Sequence, residues 1–277
     1  MGIIVGTELG YSPAVSFFIG ISLSISALAI HTEHMHSLRS MDEKMILTHL
    51  ESALIDNIAG IFLLSLFLGT LSTEFSLTSE LLYSMLGFFI FVLLCFVLEL
   101  YLLPKLFKEL KRIESTYKVG ITIALAFFFS ITAKMMGVHE GVGAFIFGVL
   151  LRRALSDVEI EILTNWSFSF FIPPHIGLMG FEVNFSYISS YFIAIILLAA
   201  FLGKMVSCTI VSFLSGFTRK KSLLIGIGLN GRGAIELIFA HTAPMLGIIG
   251  FKLYSTLVIV GFITTLLSSF SLKKILR

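Results

Sequence analysis

The chain has 277 residues, 57% of them hydrophobic and only 13% charged, with a formal net charge of +2 and a mean hydropathy of +1.00. Soluble domains carry about 45–50% apolar and 25% charged residues, so this composition excludes an ordinary soluble enzyme or binding domain. The apolar residues form runs of about twenty, long enough for helices that cross a bilayer, without the apolar–polar alternation of a membrane β-barrel. The expected class is an all-α polytopic membrane protein whose first partner is the lipid bilayer. Its small positive charge lies in short loops and points to no nucleic-acid partner.

In chain order, residues 2–9 read as the end of an apolar helix, and nine spans follow. They fall at about 12–30, 48–71, 81–103, 119–136, 139–151, 164–182, 187–215, 221–243 and 249–270. The first span carries Ser22, Ser24 and Ser26. It is followed by HTEHMH, with His31, Glu33, His34 and His36, whose spacing fits a solvated loop and no zinc pattern. The second span holds Asp56 and Asn57 side by side in SALIDNIAGIFLLSLFLGT, residues 52–70. Residues 106–118, LFKELKRIESTYK, are the most charged stretch and read as a cytoplasmic linker. His175 follows Pro173 and Pro174 in the sixth span, where it reads as a polar group at a kink. The seventh span carries Lys204. The eighth is interrupted by GIGLNGRG at 226–233, which places Asn230 and Arg232 in the break and Glu236 just beyond it.

Of the 19 Lys and Arg, Lys204 and Arg232 lie inside spans, and of the rest only Lys134 and Lys252 fall on one side of this arrangement. The others share the opposite side: Arg39 and Lys44, the linker, Arg152 and Arg153, 219–221 and the tail from Lys273 to Arg277. Basic residues collect on the cytoplasmic side of membrane proteins, so the C-terminus is expected in the cytoplasm. Cys95 and Cys208 fall inside apolar runs and indicate neither a disulfide framework nor a metal site. No basic region opens the chain, so no cleavable signal peptide is read.

The ionisable residues inside spans carry the functional argument. A carboxylate at bilayer mid-depth costs about 2.5–3.5 kcal/mol on insertion scales and marks an ion or proton pathway unless shown otherwise. Such a carboxylate can hold a proton taken from one side and exchange it for a cation on the other, and Asn57 adds a neutral oxygen ligand beside Asp56. Lys204 lies too deep to reach the interface along its stem, so pairing with Asp56 is the physical alternative. Four glycines and an Asn in eight residues make a poor helix interior, and a broken membrane helix exposes backbone dipoles near the midplane. Arg232 would neutralise the freed carbonyl ends. The bland readings are a helix-capping Asp and close packing through small residues. No nucleophile–base pair, metal-ligand set or cofactor motif is found, which points to a transporter rather than an enzyme.

Six segments in order resemble the cation:proton antiporter family, the sodium/proton and potassium/proton exchangers. They are LSISALAI at 23–30, LIDNIAG at 54–60, GVGAFIFGVLL at 141–151, FFIPPHIGLMGFEVNFS at 170–186, LGKMVSC at 202–208 and SLLIGIGLNGRGAIELIFA at 222–240. The resemblance implies an inverted-repeat fold with two broken crossing helices, one unwound near Ser26 and one at Asn230–Gly233. It also implies a core domain moving against a dimerisation domain, with Asp56, Asn57 and Lys204 near the ion site. The chain departs from the family in having Asp then Asn, where the second position is usually Asp, and in having Ser26-Ala27 for a serine–threonine pair.

The family's twelve or thirteen helices imply that this chain is truncated at its N-terminus by three or four. On that reading 1–104 is a partial first repeat, 105–118 the linker and 119–277 the second repeat. The expected function is exchange of protons for Na+ or K+ at the cell membrane, by a homodimer or with a complementing N-terminal chain. Ser26, Asn230, Arg232 and Glu236 complete the expected site. The rival readings are a non-transporting fragment or subunit, and an ion-gated channel or sensor.

Overall fold

A computed structural model describes residues 1–26, 43–71, 77–101, 105, 108–109, 113–138, 140–152, 155–187 and 189–276. Among them all regular structure is helical. Helix α1 (Gly2–Glu8) is the stub and α2 (Pro13–Ser22) the start of the first expected span. Next come α3 (Glu43–Leu71), α4 (Leu77–Tyr101), α5 (Ser115–Met135) and α6 (Glu140–Leu151). Helix α7 (Asp157–Trp166) runs through a π-helical turn (Ser167–Phe171) into α8 (Ile172–Phe181). The series closes with α9 (Ser190–Leu214), α10 (Arg219–Gly228), α11 (Ala234–Met245) and α12 (Phe251–Leu276). Every expected span therefore has a helical counterpart, and the eighth is split between α10 and α11.

Among the described residues four helices are long and apolar enough to cross a membrane: Lys44–Leu63, Tyr117–Met135, Ser190–Leu214 and Phe251–Ile275. At 1.5 Å per residue, 25 residues reach about 37 Å, more than the roughly 30 Å of a hydrocarbon core. Large apolar side chains such as Phe181, Met135 and Leu214 are largely exposed, as a lipid-facing surface requires. The chain is a polytopic helical membrane protein.

Local chemistry sets the helix ends. Pro13 opens α2 behind Ser12, whose hydroxyl accepts from the Val15 amide. Helices α9 and α11 close on Gly216 and Gly247 at φ +92° and +69°, a left-handed turn that a Cβ would strain. In both, the next amide bonds back into the last turn, Phe217 N to Ser212 O and Ile248 N to Ala243 O.

The chain divides into two compact units, Met1–Gly60 with Pro174–Arg277, and Ile61–Pro173. In the first, α9 packs on α10 and α12, α1 packs on α2 and α9, and α11 packs on α12. Its core joins Met45 and Ala53 of α3 to Leu224, Ile225 and Ile227 of α10 and Leu272 of α12. In the second, α5 packs on α6 and α7, and Gly143 of α6 lies where an added Cβ would come within 2.3 Å of the Phe129 carbonyl. Glu159 closes a capping box with Ser156 and pairs with Lys118 of α5 in a buried setting. Burial alone would raise the Glu159 pKa, but the hydrogen bonds from Lys118 and Ser156 outweigh it and hold this carboxyl below its ordinary value.

Candidate functional site

The expected ion-site residues with described side chains all lie in the first unit. Helix α2 ends at Ser22; the Leu23 and Ser24 amides bond back to Ile19 O and Ile21 O, and the carbonyls of Ser22 and Leu23 lie beyond that closure. Arg232 meets them: its guanidinium donates to Ser22 O at 2.8 Å and to Leu23 O at 2.7 Å. Lys204 Nζ donates to the next carbonyl along, Ser24 O. Two cations therefore sit at the negative end of α2, where the helix dipole favours them.

The second break is built reciprocally. Helix α10 ends at Gly228, and Ser26 donates its hydroxyl to Leu229 O at 2.8 Å while Ser268 donates to Ile227 O. Asn230 reaches from the gap to Phe201 O on α9 at 3.0 Å. The Arg232 amide donates to the Thr265 hydroxyl on α12 at 2.9 Å. Each broken helix thus has carbonyls satisfied by a side chain from the other. The break falls at 229–233, while Gly226 and Gly228 stay helical and serve close packing. A Cβ on Gly226 would come 2.2 Å from Thr209 Oγ1, and one on Gly228 would come 2.6 Å from the His49 ring.

Asp56 and Lys204 meet beside this crossing. Lys204 Nζ lies 2.7 Å from Asp56 Oδ2, with the lysine side chain 9% exposed and the carboxylate 28%. Two cavities of about 260 Å³ each touch the pair, and both are lined by Asp56, Lys204, Ser207 and Cys208. One extends along Ser52, Ser26 and Ser212, the other along Ser24, Gly20 and Gly203. The pair can hold an ammonium, a proton or a dehydrated cation against one carboxylate, with hydroxyl and carbonyl oxygens close by.

Asn57 takes a different place from its neighbour. One residue turns a helix by about 100°, so Asp56 faces the cavities while Asn57 is 1% exposed and lines neither. Its Oδ1 finds no hydrogen-bond partner among the described residues. Glu236 lies in the first turn of α11, but its side chain is outside the described residues, as are Ala27 and the histidine-rich 31–36. His49 was not singled out from the sequence. It is fully buried two turns before Asp56 on the same face of α3, and a lone His at the start of a span carries no signal of that burial.

The comparisons agree with this architecture. The model for the transmembrane domain of sodium/hydrogen exchangers matches residues 1–277. The chain is 24% identical over 275 residues to the Na+/H+–K+ antiporter GerN of Bacillus cereus, covering 98% of this chain and 70% of that protein. It is 29% identical over 267 residues to a Na+/H+ antiporter of Enterococcus hirae, covering 93% and 68%. Over 264 residues it is 24% identical to K+/H+ antiporter 1 of Saccharomyces cerevisiae, covering 91% of this chain and 30% of the yeast protein. Matched along its whole length, this chain belongs to the sodium/hydrogen exchanger family.

Proposed function

We propose that the chain exchanges protons for monovalent cations, Na+ or K+, across the cell membrane, with Asp56 binding the two in turn. The observation that carries this reading is the Asp56–Lys204 pair at 2.7 Å, set between two cavities and beside two broken helices. A cation reaching Asp56 competes with the Lys204 ammonium for one carboxylate. Lys204 has a second acceptor in Ser24 O, on which it rests when the carboxylate is taken. A proton arriving at Asp56 cancels the charge that holds the cation and releases it. Ser26 and Arg232 keep the crossing open by satisfying its carbonyls, Asn230 ties the second break to Phe201 O on α9, Glu236 adds an acidic group at the start of α11, and Asn57 stands as a neutral oxygen on the adjoining face. The relatives named above include antiporters of both Na+ and K+, and both ions are substrates in this proposal.

The tail and the basic loops lie on the cytoplasmic side in this proposal, with 1–104 as a partial first repeat, 105–118 as the linker and 119–277 as the second repeat, and with a second copy of the chain or a complementing N-terminal chain as partner. Reconstituted into proteoliposomes with a pH-reporting dye, the protein gives proton flux on addition of Na+ or K+. Asp56→Asn abolishes that flux, because it removes the carboxylate shared by both cavities. Flux in Asp56→Asn equal to wild type would overturn the proposal.

A further inference from the structure

Helix α12 grips the second break on both sides of Asn230 through side-chain hydroxyls. Ser268 donates to Ile227 O in the last turn of α10, and Thr265, one turn earlier on α12, stands beside Arg232. The Thr265 hydroxyl accepts from the Arg232 amide at 2.9 Å. It also lies 2.9 Å from Arg232 O and 2.8 Å from Gly261 O. A hydroxyl has one proton, so Thr265 donates to one of these carbonyls at a time. Gly261, one turn back on α12, is the usual acceptor for a helical threonine, whereas Arg232 belongs to the break. The adjacent Thr264 shows the usual case: it is fully buried, and its acceptors, Val260 O and Gly261 O, are both on α12.

Arg232 joins the two breaks. Thr265 holds its backbone, while its guanidinium donates to Ser22 O and Leu23 O at the unwound end of α2. The next carbonyl, Ser24 O, takes the Lys204 ammonium, and Lys204 pairs with Asp56. A continuous series of bonded groups thus runs from α12 to the carboxylate.

On the exchange reading above, we propose that Thr265 is a positioning residue for cation binding. With its proton on Arg232 O it pins both backbone groups of that residue. The guanidinium then fixes the end of α2, and Ser24 O stays within reach of Lys204. A cation that takes Asp56 displaces the Lys204 ammonium, which needs Ser24 O as its other acceptor. Where that carbonyl drifts, Lys204 stays on the carboxylate and the cation binds less well. Thr265 lines neither cavity, so its effect passes through Arg232.

The test has two arms. Thr265→Val keeps the shape and removes the hydroxyl. In proteoliposomes its KM for Na+ and K+ rises about fivefold or more, and kcat falls by a smaller factor. Misfolding alone would lower the flux and leave KM where it was. Thr265→Ser keeps the hydroxyl and holds KM within about twofold of wild type, and so does Thr264→Val, which removes a hydroxyl that serves only α12. An unchanged KM in Thr265→Val overturns the proposal, as does an equal rise in Thr265→Ser or in Thr264→Val. The second arm needs no transport. Melting temperatures in detergent micelles are compared for Thr265→Val, Arg232→Ala and the double variant. Thr265→Val lowers the melting temperature about half as much or less once the guanidinium is gone, because the two act through one network. Additive losses overturn the proposal. A wild-type chain that exchanges neither ion sinks the exchange reading instead, and the melting arm then decides whether Thr265 acts through Arg232.

Discussion

Arg232 is 3% exposed, with its guanidinium on the Ser22 and Leu23 carbonyls and its amide on Thr265. Those carbonyls cannot turn to water or close another helical turn, so removing the donor leaves them desolvated and unpaired. A hydrogen bond to a charged group contributes about 1.5–3 kcal/mol, and Arg232→Ala is expected to cost about 3–5 kcal/mol. Arg232→Lys keeps the charge but loses the two-pronged geometry, and falls between. Thermal unfolding in detergent micelles orders the three as wild type, Lys, Ala; a flat series would mean that the two carbonyls are satisfied otherwise. Asp56, Lys204 and Arg232 were legible in the sequence because a charge in an apolar run is costly enough to stand out. The orientation of Asn57 was not, since two adjacent residues read as one feature until the helix turns them apart. The contact of Thr265 with Arg232 was missed because nothing local joins two residues so far apart in the chain.

At the scale of elements, the α9–α10 contact decides where Lys204 stands. Gly226 lies against Met205 O and Thr209 on α9, with an added Cβ falling 2.6 Å from that carbonyl. A backbone atom cannot swing aside as a side-chain tip can, so Gly226→Ala pushes α10 off α9. Overpacking of this kind costs about 1–3 kcal/mol. Lys204 immediately precedes Met205, so the strain falls on the ion pair: exchange drops at least several-fold at equal protein level, and Thr209→Ala does not restore it. Rescue by Thr209→Ala would place the clash on the hydroxyl alone. The glycines were read from the sequence as a break, yet two of them are packing surfaces and the break lies just after. Composition marks a region poor in helix formers without telling a close approach from an unwound turn. In the second unit, Glu159 has its folded-state pKa lowered from 4.5, the net result of burial raising it and the Lys118 and Ser156 hydrogen bonds lowering it further. The unfolded chain then binds the proton more readily, so this contribution to stability is present above the ordinary glutamate range and is lost as pH falls through the lowered value. Melting temperatures measured from neutral pH into that acid range fall less steeply in Glu159→Gln; parallel curves would remove Glu159 as a source of the acid sensitivity.

For the whole molecule, the helices follow one another in the order that hydropathy gave, because every span must satisfy its backbone internally and an α-helix is the economical way to do so. Orientation is a separate matter: it depends on which side receives the basic residues, not on packing. Arg219, Lys220 and Lys221 follow α9 and open α10, Lys273 and Lys274 end α12, and the connection after α8 carries Glu182 with no basic residue before Ser190. Moving three basic side chains through the bilayer is far costlier than moving that connection, so the loop at 219–221 is expected in the cytoplasm and the connection after α8 outside. Ser186 and Lys220 are both exposed and described, which makes them suitable reporters. In a background with Cys95 and Cys208 replaced by alanine, a membrane-impermeant maleimide added to whole cells is expected to label Ser186→Cys and to spare Lys220→Cys until the membrane is opened. The reverse order would turn the molecule over.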